Sequence, residues 1–272
     1  MRLEIWSRRL LAIAGVLLTF TGLMFFLVPE YAAENFPWAV SPLVAMTIGG
    51  WTLGLGLATL ETVRDWALPR VYATLLAAWS FAILEMLVVV AFAERLRTDH
   101  LLTWPYIGAL ILGALSGAFG LLAAWRRRAE LGSRSADQSS PALRAMFGGF
   151  GVLVMGLAVA VLVFDTTTPR IFPEPLSPLT ASAFAAFFAS LGVGALPLLL
   201  ARDAQPAIHY TRNGLYLIVL IAVAAFSYLH VFDFSARPGQ LVYIGGYVVT
   251  GAIAAALLIW HRQASGGPRW RP

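Results

Sequence analysis

Eight apolar runs, each close to the length of a bilayer crossing, constrain this chain more than any other feature. They lie at Leu10–Val28, Pro42–Leu60, Val71–Ala93, Trp104–Trp125, Ala145–Phe164, Leu179–Leu200, Leu215–Val231 and Leu241–Trp260. Roughly 20 helical residues cross the ~30 Å hydrocarbon core of a membrane, and every run except the shortest reaches that length. Backbone polar groups in lipid must be satisfied within the segment, so the runs are expected to be helices. The chain has 272 residues, 59% of them hydrophobic and 12% charged, with a mean hydropathy of +0.77. Soluble domains are about a quarter charged, so the polar surface for a water-facing globule is missing. The expected class is a polytopic, all-α membrane protein.

Two residue types are absent. Without cysteine there is no disulfide, thiolate metal site, iron–sulfur cluster or cysteine nucleophile. All 19 basic residues are arginine; without lysine there is no Schiff base and no P-loop.

The arginines orient the spans. With the N-terminus inside, the inner segments hold 15 of them and the outer loops four, Arg95, Arg97, Arg170 and Arg237. This asymmetry predicts a membrane protein with both termini cytoplasmic. The arginines are dispersed over short loops, so no nucleic-acid partner is expected, and Arg126–Arg128 reads as an anchor against anionic lipid. Arg8 and Arg9 before the first apolar run imitate a secretory signal. Bulky Tyr31 stands where the cleavage site needs a small residue, so a retained first span is expected.

Self-comparison divides the chain. Phe36-Pro37 with Ser41-Pro42-Leu43 recurs as Phe172-Pro173 with Ser177-Pro178-Leu179. Leu53-Gly54-Leu55-Gly56 recurs as Leu191-Gly192-Val193-Gly194, and Tyr106-Ile107-Gly108 as Tyr243-Ile244-Gly245. The separations are 136 (172 − 36), 138 (191 − 53) and 137 (243 − 106), in preserved order. Eight transmembrane helices are therefore expected as two parallel four-helix repeats related by a pseudo-twofold along the membrane normal. The first repeat covers 1–128 and the second 142–262, with a Ser-rich cytoplasmic linker at 129–141 and a tail at 263–272. The two-residue slip in the second match would turn a helix face by about 200°.

The fourth span of each repeat carries small residues four apart, Ala109, Gly113 and Gly117 in one and Gly246, Thr250 and Ala254 in the other. Such faces admit close helix contact. Either these helices meet near the pseudo-axis, or each stripe packs inside its own repeat.

Two polar positions stand out within the apolar runs. Glu85 lies among Leu84, Met86 and Leu87. A carboxylate at that depth is costly unless paired, protonated or hydrated. The acid is therefore expected to be protonated and to point into the bundle, toward the interface between the repeats. His230 near the outer end of the seventh span has Asp233 one turn later. Aligning Tyr72 with Tyr216 places Glu85 beside His230 in the repeat, so the two could face each other as a proton relay or ligand site. Otherwise Glu85 is a hydrogen-bonded structural acid, and His230 reaches to headgroups beside Asp233.

Enzyme signatures are missing: there is no H-E-x-x-H, no G-x-S-x-G and no acidic metal cluster. No catalytic residue, metal or cofactor is assigned. His100, His209 and His261 lie in loops or at an end, which disfavours haem.

Trp38-Ala39-Val40-Ser41-Pro42-Leu43 with Gly50-Trp51, Gly54, Gly56, Glu61 and Asp65 resembles a pattern in uncharacterised multi-pass inner-membrane proteins of high-GC bacteria. The resemblance implies a location and brings no activity with it. Two functions are expected from the residues. One is a permease for a small solute or proton-coupled species, with a path between the repeats near Glu85. The other is a non-catalytic scaffold or accessory subunit, with other membrane subunits or further copies of the chain as partners. Cysteine accessibility at Asp137 and Glu174 tests the topology: the two should label from opposite sides, and labelling from one side refutes it.

Overall fold

The structure, a computed structural model, describes residues 2–127, 139–164 and 171–264. Most of the expected linker at 129–141 and tail at 263–272 lies outside the described residues, as do Arg128 and Asp137.

Ser-Pro pairs start three of the helices. Ser41, Ser140 and Ser177 each accept a hydrogen bond from the backbone N–H three residues on, with proline in the first turn. Proline has no N–H to leave unsatisfied there, and serine satisfies one that remains. The helices in order are α1 (Arg2–Leu27), the short α2 (Pro29–Asn35), α3 (Pro42–Arg64), α4 (Leu68–Ala91), α5 (Thr103–Arg126), α6 (Pro141–Val163), α7 (Pro178–Leu200), α8 (Gln205–Ser227) and α9 (Gln240–Ala264). All except α2 are long and apolar enough to cross a membrane. The turns Ala93–Arg95 after α4 and Leu229–Val231 after α8 are 3-10 helices.

The eighth apolar run and the first six match these helices to within a few residues, apart from an earlier start to α1. The seventh does not. α8 begins at Gln205, ten residues before the apolar run starts, and ends at Ser227. His230 consequently lies beyond the helix, in the 3-10 turn, rather than near the end of a span.

α3 is the central helix, with 89% of its apolar window buried, and α7 follows with 61%. α3 packs on α1 and α8, α7 packs on α6 and α4, and α4 also meets α5 and α8. The Trp51 ring of α3 stacks on Phe187 of α7 at 4.6 Å and meets Phe184 edge-on at 4.8 Å. α1 also packs on α5, and α9 rests on α8.

Bare glycine backbone allows the tightest contacts. A Cβ on Gly49 would lie 2.6 Å from the Phe26 nitrogen, one on Gly56 would lie 2.6 Å from the Thr19 nitrogen, and one on Gly22 would strike the Leu53 backbone. Gly54 lies against Leu217 of α8, and Gly194 against Ala77 of α4. Gly156 on α6 has nothing within 4 Å. Gly49→Ala should therefore destabilise the protein by about 1–3 kcal/mol through overpacking. Gly156→Ala should be neutral or stabilising by up to ~1 kcal/mol through helix propensity. Thermal unfolding in detergent reads both, and equal effects would refute this account of the packing.

Candidate functional site

Three polar groupings lie along the bundle. The arginine-rich end holds the N-terminus of α1, the C-terminal turns of α3, α5, α7 and α9, and the start of α8.

The first grouping lies where α3, α4 and α8 converge near that end. His209 and Asn213, four apart, share one face of α8 and are 3% and 2% exposed. The imidazole Nδ1 lies 3.1 Å from the Thr74 hydroxyl and 3.1 Å from the Asn213 amide nitrogen. That amide also approaches Thr74 at 3.4 Å and Thr62 at 3.5 Å. The His209 Nε2 and the Asn213 Oδ1 are buried with no hydrogen-bond partner. With the amide donating to Nδ1, a neutral ring carries its proton on Nε2. The pair then presents one unused donor and one unused acceptor. Turning the amide over reverses both roles and leaves the same complement.

Charges rim this site. Arg212 pairs with Glu61 and lies 3.6 Å from Asp65, and the Tyr216 hydroxyl donates to Glu61 at 3.0 Å. Sequence reasoning placed His209 in a loop or at an end, and Glu61 and Asp65 entered it through a resemblance. The signal available was the i, i+4 spacing of His209 and Asn213, which puts two polar side chains on one helical face.

The second grouping is Glu85, fully buried as its sequence context required. Its Oε1 accepts a hydrogen bond from the Tyr106 hydroxyl of α5 at 2.8 Å, and Oε2 has no partner. The Tyr106 ring packs 5.9 Å from Trp38 and 6.4 Å from Phe25, and Phe36 lies between those two rings. Glu85 thus faces its neighbour within the first four spanning helices.

His230 is not brought to it. The imidazole is exposed, with its ring 5.8 Å from that of Tyr228. The 3-10 turns start 136 apart (229 − 93), with Glu94 and His230 each second in its turn. The Tyr72–Tyr216 alignment, 144 apart (216 − 72), does not share that separation. Asp233 does not pair with His230 either. Its Oδ1 accepts from the Ala236 N–H at 3.0 Å and the Ser235 hydroxyl at 2.8 Å, and these bonds hold the carboxyl below the usual range.

The third grouping ties loops at the opposite end. The Trp38 indole donates to Thr180 of α7 at 3.1 Å, Ser41 donates to Glu174, and Tyr228 donates to Glu30 at 3.0 Å. Burial, then the bond to Glu30, pushes the Tyr228 phenol up to about 12.

The small-residue stripes divide. On α5, Ala109 is buried, Gly113 abuts Ala82 and Gly117 abuts Trp79, all consistent with packing on α4. On α9, Ala254 is buried, Thr250 is partly buried, and Gly246 has open space beside it. The extensive helix contacts pair α5 with α1 and α4, and α9 with α8. The structure therefore has the stripe of α5 packing inside its own half, away from α9. No group of three or more metal-ligating side chains is found among the described residues.

The fold and these sites define a polytopic α-helical membrane protein. Comparison with family models, curated proteins and solved structures gave no match to this chain. Tyr106→Phe should destabilise the protein by about 1–3 kcal/mol, the cost of a buried acid left without a partner. Glu85→Gln keeps an acceptor for Tyr106 and should cost less. The reverse order in thermal unfolding would refute the pairing.

Proposed function

We propose that the chain is a permease-like protein for a small species, proton-coupled or uncharged, built from two parallel four-helix repeats. Its path runs along the seam between α4 and α8.

Several regularities support the repeat. α3 and α7 both span 23 residues and start 136 apart (178 − 42); α4 and α8 start 137 apart (205 − 68). A pseudo-twofold exchanging the halves turns the contact of α3 with α8 into that of α7 with α4, and maps the α4–α8 contact onto itself. Residue contacts follow the same register. Gly56 lies on Thr19, and Gly192, 136 later, lies on Met155, also 136 later. The matching Leu-Gly-x-Gly segments, two residues out of step, are then not equivalent positions, and no helix face needs to turn.

The observation that carries the function is the unused donor and acceptor of His209 and Asn213, held on the helix pair that crosses the pseudo-axis. Parallel-repeat transporters bind their cargo at the repeat interface. Unpartnered buried polar atoms cost about 1–3 kcal/mol each, a cost that a passing polar species would offset. Glu85 lies off this path. The cavity within the first half, lined by Leu11, Ala14, Leu18, Leu55, Phe81 and Ala82 among others, has about 10 Å³ of room. That suits a water at most.

The accessory reading has its own observation. The apolar windows of α6 and α9 are only 22% and 11% buried, against 44% for both α1 and α5. Vesicles containing the full chain should dissipate an imposed pH gradient, or shrink and recover in urea, faster than protein-free vesicles. Asn213→Leu should abolish the difference and Glu85→Gln should preserve it. No flux above protein-free vesicles, with a stoichiometric partner co-migrating in mild detergent, would establish the accessory role instead.

A further inference from the structure

The two halves differ most where α6 and α9 fail to come together. In the first half α1 and α5 are locked. The Ser7 hydroxyl donates to the Ser116 carbonyl at 2.9 Å, Ser116 donates back to the Ser7 carbonyl at 2.9 Å, and the Trp79 indole donates to Ser116 at 3.1 Å. Arg127 closes the arginine-rich end on Glu4 at 2.5 Å. The positions 136 and 137 later are Leu143 and Ile253, which offer no such bonds, and Ile253 is 51% exposed. α6 and α9 share no extensive contact.

A cleft is left between them. Phe147 of α6 and Tyr210 of α8 meet edge-on at 6.0 Å as its floor, and Leu257 of α9 packs against the same cluster. The cluster sets the first turns of α6 opposite the last turns of α9. Arg144 stands in the first turn of α6, and Arg262 in the last turn of α9. The Arg144 Nε is buried without a hydrogen-bond partner. Neither Arg144 nor Arg262 forms an ion pair with a carboxylate among the described residues. The mouth of this apolar cleft is therefore cationic, with a buried guanidinium donor unused.

We propose that an anionic phospholipid occupies this cleft, its phosphate held by Arg144 and Arg262 and its acyl chains lying between α6 and α9. An apolar groove ending in a pair of arginines matches the two parts of such a lipid. A guanidinium offers a phosphate paired N–H donors. A second protein helix would fill the groove but would need a carboxylate or a free C-terminal turn at its mouth to use those donors.

Native mass spectrometry of the full chain from detergent, with added phosphatidylglycerol or phosphatidylcholine, tests the proposal. One phosphatidylglycerol should be retained in preference to phosphatidylcholine, and inorganic phosphate should not displace it. Arg144→Gln with Arg262→Gln should weaken retention roughly thirtyfold, about fivefold for each arginine. Arg2→Gln with Arg9→Gln, on α1 at the same end, should leave it unchanged. Equal retention of the two lipids by the unaltered protein would overturn the proposal. So would displacement by phosphate, or equal loss in both double variants.

Discussion

Lipid tails are as apolar as leucine, so burying oily surface gives these helices no reason to associate. What remains is close packing and hydrogen bonding between them. The architecture follows from where the chain has removed side chains. Gly49 and Gly56 set α3 against the backbone of α1, and Gly50 and Gly54 set it against α8. α3 is thus clasped on two sides, and its burial follows from its glycines. Alanine at these points would push apart the helices that position both the Trp51 stack and the polar seam.

Close approach also decides where polar groups can be tolerated. His209, Asn213, Thr62 and Thr74 meet because α3, α4 and α8 run near enough for short side chains to reach one another. The same closeness buries His209 and Asn213, so what these groups leave unsatisfied is costly in the low dielectric between the helices. Glu85 has a different solution. One phenol bonds it, and an aromatic cluster separates it from the loops at the opposite end. Glu85 still leaves one carboxyl oxygen without a partner, while His209 and Asn213 leave one atom on each of two adjoining side chains.

The sequence made the spans legible because apolar length in a bilayer is close to a geometric requirement. It failed at α8, where Arg212 and Asn213 interrupt the run. The structure pairs Arg212 with Glu61 and Asp65, and Asn213 with its neighbours across the seam, so the helix continues through them. The partners are set by other helices, and α8 itself shows only the i, i+4 spacing of His209 and Asn213. Likewise the burial of Glu85 was readable from its neighbours. Its partner, 21 residues away on the next spanning helix, was not. His230 was set against Glu85 by the Tyr72–Tyr216 alignment, 144 apart (216 − 72), and not by the motif matches at 136–138. For the proposed repeat, helix ends and glycine contacts give a more consistent separation than a single pair of tyrosines in so biased a composition.

The proposed repeat bears on why the ring and the amide of the seam both come from α8. A residue on a pseudo-twofold axis faces its own counterpart, so an exact duplication places like groups together. At a separation of 137, His209 corresponds to Tyr72 and Asn213 to Leu76. Two imidazoles across the axis would compete for the same hydrogen-bond partners, and would repel each other once protonated. With Tyr72 turned toward the cluster of Val71 and Trp79 in the first half, α4 offers Thr74 to the seam instead. A hydroxyl can donate or accept, and therefore suits either tautomer of His209. On the proposed repeat, loss of symmetry at the axis is what lets one half carry the ring and the amide while the other supplies an adaptable partner, so the seam holds one polar cluster rather than two competing halves.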